Sequence, residues 1–93
     1  MTFSAIKDPS AVEDYTIDWS ATLNASSPVD TISTSSWAAD NGVVVGTDDN
    51  TTTTTTVFIS GGTRGKYSNV VNTVVTTGGR TYERTIVVLI QDE

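Results

Sequence analysis

Apolar and polar positions alternate along most of this chain. Tyr15, Ile17 and Trp19 fall on one side of an extended segment, and Thr16, Asp18 and Ser20 fall on the other. A period of two marks a half-buried strand. The same pattern predicts strands over 31–39, anchored by Trp37, and over 43–46, 51–60, 66–77 and 80–91. Turn chemistry separates them. "NASSPVD" (24–30) carries a proline, "DNG" (40–42) tolerates positive φ, "TDDN" (47–50) reads as a loop, and "GGTRG" (61–65) is glycine-rich. The last two runs form a hairpin, Asn72 to Thr76 and Tyr82 to Ile90, around Gly78-Gly79.

Two strands leave their phase open. Six threonines (51–56) suit a strand whose outer face meets water, yet they cannot fix register. The expected inner face has Thr54 or Thr56 with Phe58 in phase, and Val57, Phe58 and Ile59 pin it. In the next strand, either Tyr67 faces in with Asn69 and Val71, or Val70 faces in with Asn72, Val74 and Thr76. The second is preferred and calls for an irregularity near Tyr67. A core-facing Asn72 must find hydrogen-bond partners, because an unmet buried polar group costs about 1–3 kcal/mol. Backbone groups of an adjacent loop are the expected source.

"DPSAVED" (8–14) offers a capping Asp8 and a Pro9 at a first helical position, but it is too short to stand alone. It reads as one turn or an extended arm. The expected organisation is an N-terminal arm or first turn over 1–13 and a sandwich over 14–93. Seven strands or fewer, about ten residues apart, predict an all-β fold, an immunoglobulin-like antiparallel β-sandwich of about seven strands. A small barrel is the alternative. Early tryptophans and Tyr67 near a corner are immunoglobulin-like, although the cysteine pair of antibody domains is absent.

Composition narrows the chemistry. A chain of 93 residues makes one domain that buries about 64% of its unfolded surface. Without cysteine, disulfides, thiol catalysis and zinc–thiolate sites are excluded. Without histidine, so are His-dependent triads and His-ligated metals. Net charge is −6, unevenly spread: residues 1–50 carry −7 and residues 51–93 carry +1. That sign repels nucleic-acid phosphates. The split either serves dispersion in water or lets an acidic face of one copy meet a more basic face of the next. No run approaches the ~20 apolar residues of a membrane span. "MTFSAIKDPS" lacks a basic start and an apolar stretch, so no signal peptide is expected. The lack of cysteine favours assembly in a reducing cytoplasm.

Candidate sites are few. Asp48-Asp49-Asn50 offers oxygens to a hard cation but lacks the spaced acids and distal Glu of a calcium loop, so a solvated turn is expected. Asp14 and Asp18 share a strand face ~13 Å apart, too far for a glycosidase pair. "GGTRG" lacks the order of a phosphate loop. Arg80, Tyr82 and Arg84 share one face of the last strand, with Glu83 on the other. They form either a contact stripe or charges that blunt an edge. No catalytic, cofactor or metal residue is expected.

The ordered set "KDPSAVEDYTIDWSATL" (7–23), "DTISTSSW" (30–37), "TTVFISGGTRGKY" (55–67) and "NTVVTTGGRTYERTI" (72–86) resembles a family of small phage and prophage proteins. These are immunoglobulin-like virion components of the fibre–tail adaptor or head–tail type. The resemblance implies a non-enzymatic structural protein present in several copies in a virion and assembled in the host cytoplasm. It implies docking onto other tail proteins, with no nucleic acid, membrane, small-molecule substrate or cofactor. Candidate interface residues are Phe3 and Ile6 of the arm and Arg80, Tyr82 and Arg84. An immunoglobulin-like adhesion or carbohydrate-binding module is the alternative, and a host-encoded secretion or pilus subunit a further one.

Overall fold

A computed structural model of the protein describes residues 2–25 and 28–91, and side chains from Ala5 onward. Seven strands and one short helix follow in the order β1 (Thr2–Lys7), β2 (Glu13–Asp18), α1 (Ser20–Asn24), β3 (Ile32–Ala38), β4 (Val43–Asn50), β5 (Thr54–Gly61), β6 (Tyr67–Thr76) and β7 (Thr81–Ile90). One sheet runs β1-β7-β6-β3 and the other β2-β5-β4. This is the immunoglobulin-like order, in which the third, sixth and seventh strands oppose the second, fourth and fifth. The core lies between the sheets, around Ile17, Trp19, Val57, Ile59, Val70 and Val88, all at most 1% exposed.

Sequence and structure part company at several places. Residues 2–7, expected as an arm, form an edge strand in parallel register with β7, from Thr2 opposite Thr85 to Lys7 opposite Ile90. Apolar side chains on β7 outnumber those one neighbouring strand can cover, so a further strand gains burial there. Lys7 is fully buried, and its Nζ donates to Asp8 O at 2.9 Å and Gly61 O at 2.8 Å. The ammonium thereby ties β1 to the opposite sheet. The segment 8–14 holds a tight turn at Asp8, whose Oδ1 accepts from the Ser10 N–H and hydroxyl. The helix lies further on, at 20–24.

The second sheet corrects the phase of the threonine strand. Thr55, Val57 and Ile59 face inward and Phe58 is 44% exposed. In Val57-Phe58-Ile59 two β-branched residues share one parity and outweigh the single Phe. "TDDN", expected as a loop, extends β4, with a register shift between Val45 and Asp48.

No irregularity occurs at Tyr67. The β6–β7 register runs unbroken from Tyr67–Leu89 to Val75–Thr81. Ser68 takes the inner position, donating its hydroxyl to Asp40 O at 2.8 Å, and Tyr67 turns outward, 60% exposed. Val70, Asn72, Val74 and Thr76 face in, as preferred. The predicted turn at "DNG" forms with Asn41 at φ 52° and Gly42 at φ 85°.

Candidate functional site

Asn72 closes its hydrogen bonds inside the molecule. Its Oδ1 accepts from Trp19 Nε1 at 3.1 Å and Thr55 Oγ1 at 2.7 Å. Its Nδ2 donates to Ser35 Oγ and Ser36 O, both at 2.9 Å. The partners come from β3, β5 and the residue after β2, rather than from a loop. This polar tie crosses the core between the second and sixth strands, where antibody domains place their disulfide. It is a structural feature, with no open face toward solvent.

Tyr82 and Arg84 share a face of β7 that is turned inward, and Arg80 lies just before the strand with its side chain half exposed. Arg84 is 8% exposed, with its guanidinium 4.4 Å from the Trp19 ring. It donates to Asp18 O at 3.0 Å and Thr22 Oγ1 at 2.8 Å, pinning α1 over the end of the core. Tyr82 packs against Trp19, ring centres 6.3 Å apart. Arg80 pairs with the buried Asp30 at 2.9 Å. Asp30 also accepts from the Thr31 and Gly78 N–H groups and the Thr77 hydroxyl. Hydrogen bonds from Thr76, the neighbouring amides and Arg80 hold its carboxyl well below the usual carboxylate range, against the effect of burial. Of the four cations at 64–84, Arg84 is thus buried inside the fold and Arg80 is matched to Asp30 while half exposed, leaving Arg64 and Lys66 exposed.

The acids stay outside. Asp14, Thr16 and Asp18 line the outer face of the three-stranded sheet, beside Thr56 and Phe58. Hydrogen bonds from Ser20 lower the Asp18 carboxyl, and Arg84 adds to this. A general acid needs the opposite shift. Asp48 and Asp49 are exposed on β4, where Asp49 Oδ1 accepts the Asn50 N–H. Among the described residues no group of three acidic side chains converges.

An apolar surface lies on the other sheet. On the outer face of the four-stranded sheet, Ile6, Leu89 and Tyr67 lie in a row across β1, β7 and β6. Ile6 is 50% and Tyr67 60% exposed. With Ala5 and Val87 they line a depression of about 440 Å³. Ile6, expected from sequence at an interface, stands in this row. The Phe3 side chain lies outside the described residues. Tyr67, Val87 and Leu89 were not placed on this outer face from sequence, although "IVVLI" (86–90) carries the signal: an apolar run without alternation leaves apolar residues on both faces.

Among the described residues no helix is long and apolar enough to cross a membrane. A search of curated proteins finds no match. The family model of the podophage GP4 fiber-tail adaptor protein gp77 matches residues 7–89. That span takes in every strand but the outermost, together with the Trp19–Asn72 tie and most of the apolar row, and the chain belongs to this family.

Proposed function

We propose that this chain is a non-enzymatic structural part of a phage particle that joins tail and fibre proteins by docking preformed surfaces. The observation that carries this reading is the exposed row Ile6–Leu89–Tyr67 with its depression, on a rigid sheet. A preformed face loses little conformational freedom on binding, so modest contact area converts efficiently into affinity. Exposed aromatic and aliphatic residues flanked by polar ones are what such contacts use. Several copies act in each virion, assembled in the host cytoplasm, with other tail or fibre proteins as partners. The exposed carboxylates disfavour nucleic acid. Arg80 contributes its half-exposed guanidinium at the rim.

The test is a phage deleted for this chain and supplied with it in trans. Fibres counted by electron microscopy should vanish in the deletion and return with wild type. Tyr67→Asp, which places a charge on the row, should restore fewer than about a tenth. Normal fibres on the deletion particle would end the reading. The other sheet supports a second reading as a carbohydrate-binding module, because Phe58 is 44% exposed and paired with Asp14 among threonines. Saturable binding on a glycan array, lost in Phe58→Ala, would favour it.

A further inference from the structure

A sandwich of two open sheets has four edges, and exposed edges invite unwanted pairing unless something blunts them. Three are blunted here. β2 carries Glu13, Asp14 and Asp18 within six residues. β4 breaks register between Val45 and Asp48 and exposes Asp48 and Asp49. β3 shifts register between Ile32 and Thr34 and lies against β4. The fourth edge, β1, has no such guard. Its register with β7 is unbroken over six residues, Thr2 to Ile6 are uncharged, and its one charge, Lys7, is buried.

The Gln91 N–H donates to Lys7 O. In a parallel ladder the bonding groups alternate along the strand. Residues 7, 5 and 3 therefore face β7, and residues 6, 4 and 2 turn their N–H and C=O to the open side. Among the described residues nothing pairs with that side.

We propose that the open edge of β1 receives an extended segment of a different protein, which adds a fifth strand to the β1-β7-β6-β3 sheet. The inference rests on the adaptor reading and specifies how one partner is held. What satisfies a row of backbone donors and acceptors is another strand. The segment is uncharged along the edge, and an apolar side chain beside Ile6 extends the row Ile6–Leu89–Tyr67. A second copy of this chain fits less well. Two rigid sandwiches joined edge to edge would share one ladder of about 20 Å, short of the ~1,000 Å² a stable interface needs. Each copy also carries a net charge of −6. A flexible segment can follow the edge and cover the apolar row as well.

The experiment uses the deletion phage supplied with Ser4→Pro, Ile6→Lys or, as control, Val44→Lys on the other sheet. Ser4→Pro removes one outward N–H and leaves the β7 ladder intact. Copies per purified particle are counted by mass spectrometry, with thermal melting as the check on folding. Hydrogen exchange of the peptide covering 2–7 is compared between free wild type and wild type in the particle. Expected are a loss of at least tenfold in incorporation for both edge variants, wild-type levels for the control, and at least tenfold slower exchange in the particle. Wild-type incorporation of a folded edge variant overturns the inference. So does unchanged exchange of wild-type residues 2–7, which decides the matter even if both variants fail to fold. Absence of the wild-type chain from particles overturns the adaptor reading itself, and this proposal with it.

Discussion

Asn72 shows how a polar residue can hold a core together. All its bonding capacity is met by Trp19, Thr55, Ser35 and Ser36. Replacing it by Ala leaves the Trp19 Nε1–H and the Thr55 hydroxyl with only each other. Asn72→Ala should therefore cost about 3 kcal/mol, read as a lower urea midpoint at unchanged slope. Asp30 should make stability depend on pH in the acid range. Its folded-state pKa is depressed, so the stability it contributes is complete above the ordinary aspartate value of about 3.9 and is lost as pH falls below that value. Asp30→Asn should be less stable than wild type at pH 7, and the gap should narrow as pH is lowered to 3. Urea midpoints at pH 7, 4 and 3 check this. A constant gap would show that the charge on Asp30 is not what matters.

At the scale of the element, the threonine strand poses the sharpest question. Six identical residues carry no parity, so only the three residues after them decide which face is inner. Two β-branched side chains win over one Phe. Val57→Thr buries a hydroxyl with no partner provided for it and should cost about 1–3 kcal/mol. Phe58→Thr should stay within about 0.5 kcal/mol. Equilibrium unfolding of the two variants distinguishes the registers, and a reversed order would contradict the observed phase. This failure is local. The alternation from Tyr15 to Trp19 was legible with its correct face, and so was the turn at Asn41-Gly42. Of the two phases open for the sixth strand, the preferred one, with Val70, Asn72, Val74 and Thr76 inward, is the one observed, without the irregularity expected at Tyr67. Strand β1 was not, because what makes it a strand is the uncovered edge of β7, which lies about eighty residues away in the chain. The shared face of Tyr82 and Arg84 was legible. Its direction was not, since arginine reads as a surface residue until a tryptophan ring and two oxygen acceptors are found beneath it.

For the whole molecule, the thin core leaves little to spare, and the first strand belongs to it. Deleting residues 1–7 removes the cover of one sheet edge and the Lys7 tie to Gly61. Differential scanning calorimetry should show a melting temperature lower by roughly 10 °C or more, given about 4–8 °C per kcal/mol in a domain of this size. A truncated chain that melts like the intact one would return residues 1–7 to the status of a loose arm. The charge distribution also looks different in three dimensions. With Lys7 and Arg84 internal and Arg80 matched to Asp30, the exterior is more uniformly acidic than the linear count of four cations in 64–84 suggests.

The parallel pairing of β1 with β7 has a mechanical consequence. Thr2 lies opposite Thr85 and Lys7 opposite Ile90, so tension applied between residue 2 and residue 90 drags the two strands past one another lengthwise. Their cross-links then share the pull and must rupture together, whereas strands peeled apart from one end would break them singly. A connector hauled on from both sides would resist most along that axis.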